Sequence, residues 1–140
     1  DVDTEEFENE LSAFYSGFEI SPVLEGHVEQ LAQMVRADGG TFVMMQIPNR
    51  AAYQAEVEKR FGKEYAQHIE ALKRLAARIN APLYIFNAPA DCGLTETSYE
   101  DYGHINAEGS RQFTQYLSGL IQREGWLKEK RELSPASAAR

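Results

Sequence analysis

Two short apolar runs, "TFVMMQIP" at residues 41–48 and "APLYIFNAP" at 81–89, constrain this chain more than any other feature. Each is nearly continuous in Val, Ile, Leu, Met, Phe and Tyr, and each stops at a proline. A strand with one wet face alternates apolar and polar residues. A run without alternation is expected of a strand buried on both faces, central in a parallel sheet. The 30 or so residues between the runs have helical periodicity. Tyr53 and Val57 precede a break at Gly62, after which Tyr65, Ile69, Leu72, Ala76 and Ile79 form a stripe. Strand, helix, strand is a parallel β-α-β unit, whose crossover is expected to be right-handed. The fold class is therefore α/β.

Three more helices are expected around this unit. Residues 5–18 place Phe7, Leu11, Phe14, Tyr15 and Phe18 at helical spacing between acidic residues, an aromatic face expected to pack as core or interface. In "SPVLEGHVEQLAQMVRADGG", Ser21 is the expected N-cap and Pro22 the first helical residue. Leu24, Val28, Leu31 and Val35 form the stripe, and Gly39 and Gly40 end the helix. The last helix is expected to start at Asn106 as N-cap, with Glu108 in its first turn, and to bury Phe113, Tyr116, Leu117, Leu120 and Ile121. The chain thus divides into an amphipathic N-terminal helix (1–20), an α/β region (21–126) and a flexible tail (127–140).

Two central-type strands make a poor sheet alone, because each would leave a row of backbone donors and acceptors unpaired. The expectation is the second half of a larger α/β domain, its sheet completed by a missing N-terminal half or by a second chain. Composition narrows the partners. A net charge of −8 with no cluster of Lys and Arg argues against nucleic acid and anionic membrane surfaces. No apolar stretch approaches the roughly 20 residues that span a bilayer. Cys92 is the only cysteine, so no internal disulfide forms.

The chemistry-bearing stretch is "DYGHINAEGSRQF", residues 101–113, where Asp101 precedes His104 by three positions at a loop-to-helix junction. A carboxylate that accepts the Nδ1 hydrogen of an imidazole fixes its tautomer and leaves Nε2 to take a proton from a hydroxyl. Asp101 and His104 are therefore the candidate catalytic pair. The plain alternative is a loop histidine bonded locally beside a helix start.

Together with the strand "PLYIF" and the polar loop after it, "DYGHINAEGSRQFTQYL" resembles the C-terminal block of the SGNH (GDSL-type) hydrolase superfamily. There an Asp-x-x-His is followed by a hydrophobic residue, Asn, a small residue or two and Gly, here Ile105, Asn106 and Gly109. "GGTFVMMQIPNR" is similar to that family's penultimate strand and following loop. The likeness spans roughly residues 22–123 and is nearest to cell-envelope O-acyltransferase members.

The resemblance implies a flavodoxin-like three-layer α/β/α sandwich in which a Ser-His-Asp triad cleaves or transfers an ester-linked acyl group, on a carbohydrate in some members, without metal or cofactor. It makes His104 the general base and Asp101 its partner, and hints at an exported or cell-envelope protein. The family's Gly-Asp-Ser block and oxyanion-hole blocks have no counterpart here. Ser12, Ser16 and Ser21 lie in helical or capping contexts, Ser98 in the loop, and Ser110 and Ser118 on the last helix. No serine sits at a strand-to-helix elbow, so the nucleophile is expected outside this chain.

The remaining candidates are weaker. Cys92 reads as a small hydrophobe rather than a nucleophile. Asp91, Cys92, Asp101 and His104 match no standard metal-ligand spacing. His27 and His68 read as helix-surface residues, and Asn49 and Arg50 as a cap for the following helix more than as a pocket. The competing function is a non-catalytic α/β interaction or carbohydrate-binding module.

Overall fold

The structure, a computed structural model, describes residues 4–126. The Phe7 side chain and the tail at 127–140 lie outside its described part. Four helices, α1 (Thr4–Tyr15), α2 (Pro22–Ala37), α3 (Ala51–Arg78) and α4 (Ala107–Glu124), surround two strands, β1 (Met44–Gln46) and β2 (Leu83–Ile85). The protein is mixed α/β and mostly helical. The strands pair in parallel, with Met44 opposite Leu83, Met45 opposite Tyr84 and Gln46 opposite Ile85. Among the described residues, no helix is long and apolar enough to cross a membrane.

Side chains alternate across the sheet, and each face meets different helices. Met44 packs with Ala32 of α2 and Leu75 of α3, while Gln46 reaches His68 of α3. Met45 and Tyr84 point the other way, into a cluster of Phe86, Cys92, Leu94, Tyr99 and Phe113 under α4. The strands therefore carry helices on both faces, as the continuous apolar runs demand. Helix α1 docks on α3 through Leu11, which is fully buried against Tyr53 and Val57, and Tyr15 stacks on Phe61 at 5.7 Å. Phe61 has non-helical backbone angles (φ −129°, ψ 28°), so α3 bends one residue before Gly62, where the periodicity breaks.

Caps follow the sequence closely. The Ser21 side chain accepts from Leu24 N, Pro22 opens α2, and Gly39 takes φ +77° just past its end. Two expectations need correction. The strands are three residues long and half-buried, because neither outer edge is paired among the described residues. Only the Val28 and Ala32 side of α2 packs, whereas Leu24 and Leu31 remain 64% and 51% exposed. Amphipathic spacing marks an apolar side without showing that a neighbour covers all of it. Arg78 of α3 fastens the same side of α2 by pairing with Glu25, at 2.8 Å, and Glu29.

Candidate active site

The Asp101–His104 pair sits on a turn closed by an antiparallel bridge between Tyr99 and Ile105 and by Glu100 N donating to His104 O at 2.9 Å. Asp101 does two jobs in it. Its Oδ1 accepts from the backbone N–H groups of Gly103 (2.9 Å) and His104 (2.8 Å), an Asx-type turn that sets the loop. Its Oδ2 lies 2.7 Å from His104 Nδ1. Burial pushes the Asp101 carboxyl up, but the His104 and Gly103 amides and the imidazole outweigh it and hold the group below its ordinary value. An ionised Asp101 can only accept, so Nδ1 carries the hydrogen and Nε2 is the basic nitrogen.

Two contacts fix this turn at the carboxyl ends of the strands, where open α/β sheets place their sites. The buried Tyr99 hydroxyl donates to Pro48 O at 2.7 Å, and burial pushes its phenol up to about 12. Arg50 N donates to Tyr102 O at 3.0 Å. The other end of the turn is locked to α4. Asn106 caps the helix by accepting from Gly109 N at 2.9 Å, and its amide donates back to Thr97 O and Tyr99 O. Gly109 passes so close to Ser98 that a Cβ there would lie 2.1 Å from the Ser98 carbonyl oxygen.

His104 is 79% exposed at its side chain and lines a cleft of about 330 Å³. Four aromatic rings wall the cleft: Phe14 and Tyr15 of α1, Phe18 just after it, and Tyr53 of α3. Asn49, Gly103 and His68 complete it. The aromatic face of residues 7–18, expected to be core or interface, therefore divides: Leu11 is core, while Phe14, 66% exposed, faces the cleft.

His68 is not a plain surface residue. It is half-buried, its Nε2 lies 2.8 Å from Gln46 Oε1, and Phe18 meets its ring edge-on at 5.9 Å. Burial lowers its imidazole below the ordinary 6.5. The unfolded chain then binds the extra proton, so the stability His68 lends is complete above pH 6.5 and is lost as pH falls through that value toward the folded one. His68→Gln is expected to flatten this part of the curve, as read from denaturant midpoints between about pH 5 and 8.

Asn49 and Arg50 are also redistributed. Arg50 occupies the N-cap position of α3 without a side-chain cap bond; instead Glu96 Oε1 accepts from Ala51 N at 3.3 Å, and Glu96 pairs with Arg50 at 3.6 Å. That leaves Asn49 on the cleft. The available signal was its position straight after an apolar strand run, shared with the loop that carries Asp101.

The other candidates are structural. Cys92 is fully buried, burial pushes its thiol up to about 11, and its Sγ faces Pro89 O at 3.5 Å. Iodoacetamide should alkylate it only after unfolding; rapid labelling of the native protein would contradict this placement. Asp91 is occupied by the amides of Asn87 and Ala88. Ser98 is fully buried, donating to Gln112 at 2.6 Å and accepting from Thr95 N at 2.8 Å. Among the described residues, no group of three or more His, Cys, Asp and Glu is arranged to hold a metal ion, and no Ser, Thr or Cys lines the cleft.

Fold and site define a mixed α/β unit with a carboxylate-held imidazole at the strand ends, facing an aromatic cleft. Comparison with protein-family models, with curated proteins and with solved structures finds no match.

Proposed function

We infer that this chain is the base-bearing part of an ester hydrolase or O-acyltransferase of the SGNH type, the C-terminal portion of a flavodoxin-like α/β/α domain. The observation that carries the reading is the 2.7 Å contact between Asp101 Oδ2 and His104 Nδ1, on a turn at the carboxyl ends of two parallel strands and beside a cleft. In this reading His104 Nε2 takes the proton of a serine hydroxyl as it attacks an acyl ester, and returns it to the leaving alcohol. Asp101 holds the ring and stabilises the transient imidazolium. The serine and the oxyanion donors come from strands that complete the sheet, either in the same polypeptide or in a second chain. The half-buried strands, whose outer edges are unpaired among the described residues, support that arrangement.

The test is turnover of short acyl esters by the complete protein. His104→Ala is expected to reduce kcat/KM by about 10³-fold or more with the fold intact; unchanged turnover would contradict the reading. A non-catalytic binding module is the second reading, favoured by the cleft's four rings and by the absence of Ser, Thr and Cys from its lining among the described residues. It predicts saturable ligand binding and no His104-dependent turnover.

A further inference from the structure

The cleft beside His104 has a character that the acid–base pair does not require. Its walls are braced: Tyr15 is backed by Phe61 at 5.7 Å, Tyr53 by Tyr102 at 5.6 Å, and Phe18 by the His68 ring at 5.9 Å. Rings supported by further rings form a surface that exists before any ligand arrives, which limits the ordering cost of binding. Phe14 adds a large apolar side chain left 66% exposed.

Charge selects further. Among the described residues, neither Lys nor Arg lines the cleft. The Asp101 carboxylate stands 2.7 Å from His104 Nδ1 at the edge of the site, and the whole chain carries −8. A carboxylate or phosphate entering here would meet like charge with no Lys or Arg on the described lining to receive it. The lining residues with polar side-chain groups are Asn49, His68, His104, Tyr15 and Tyr53. A volume of about 330 Å³ is at the small end of ligand sites, enough for one ring with a short substituent.

We propose that this cleft binds an uncharged ester carrying an aromatic ring, with the ring against the Phe14 and Phe18 wall and the ester oxygens toward Asn49 and His104. The proposal rests on the ester-chemistry reading for its reacting group, but its test reads binding alone. The probe is N-phenylacetamide, an uncharged and hydrolysis-resistant counterpart of an aryl ester, titrated into the ¹⁵N-labelled protein. Benzoate and methyl β-glucoside are titrated in parallel.

The expected result is saturable shifts of the Asn49, Gly103 and His104 amides, with a dissociation constant on the order of millimolar. Benzoate and the glycoside should bind about tenfold more weakly or worse. Phe14→Ala, at an exposed position, should keep the native spectrum and weaken the probe about fivefold. Absent saturation, equal or tighter binding of benzoate or the glycoside, or unaltered affinity in Phe14→Ala would each overturn the proposal. The two readings can fail separately. A probe that binds a protein without ester turnover defeats only the hydrolase reading. His104-dependent turnover without probe binding defeats only the aryl-ester specificity.

Discussion

Gly109→Ala is expected to lower the melting temperature by roughly 10–15 °C, from about 3 kcal/mol of lost stability. The added Cβ would lie 2.1 Å from the Ser98 carbonyl oxygen and 3.0 Å from its carbon, and both are backbone atoms. That carbonyl cannot retreat cheaply, because it accepts from Asn106 N at 2.9 Å, while Ser98 Oγ holds Gln112 of α4 and Thr95 N. Relief must come from pushing the first turn of α4 outward. Doing so strains the Asn106 cap and displaces the turn it anchors, so the His104 and Gly103 amide signals should move as well. Thermal unfolding and an amide spectrum check both; a melting point within about 2 °C of wild type would show that the approach is looser than described.

Asp101→Asn isolates the electrostatic half of the pair, with an expected loss of about 10³- to 10⁴-fold in ester turnover by the complete protein. Asparagine keeps an Oδ1, so the bonds from Gly103 N and His104 N that shape the turn survive. The atom facing His104 Nδ1 becomes an NH₂ group, a donor only. Nδ1 must then accept, the ring hydrogen moves to Nε2, and the nitrogen that should take the serine proton is already occupied. Turnover and melting temperature measured together separate the roles: activity should collapse while stability changes by about 1 kcal/mol or less. A fall in both, in proportion, would mark Asp101 as a loop-shaping residue alone.

Local features of this chain were legible where chemistry and geometry coincide in sequence. Ser21 and Pro22, the bend beside Gly62, and Asn106 with Glu108 all occupy the places their capping and breaking tendencies imply. The apolar runs correctly implied parallel strands with helices on both faces, but not strand length. Phe42 is partly buried beside α2 and α3 without belonging to β1, and Ile47 is 42% exposed just past its end, because hydrophobicity reports burial and not pairing. For the same reason Leu24 and Leu31 looked like core residues.

At the site, the Asp101–His104 contact was readable because three residues of turn hold both groups. The cleft was not, since its wall joins α1, the loop after β1, the first turn and the middle of α3, and the His104 turn, elements far apart in sequence. His68 carries no local pattern that foretells its place there, and Asn49 only its position after an apolar strand run. Gly109 could be placed in a motif, but its reason, contact with the Ser98 carbonyl, needed the packed structure.

The central claim is that Asp101 holds His104 as a base with its hydrogen on Nδ1. Long-range ¹H–¹⁵N spectroscopy of the imidazoles, with His104 assigned by comparison with His104→Ala, reads this directly and needs no substrate or nucleophile. The account predicts that neutral His104 shows a protonated, pyrrole-type Nδ1 and an unprotonated, pyridine-type Nε2, and that Asp101→Asn inverts the two. A His104 that carries its hydrogen on Nε2, or that averages both forms as free imidazole does, would contradict it.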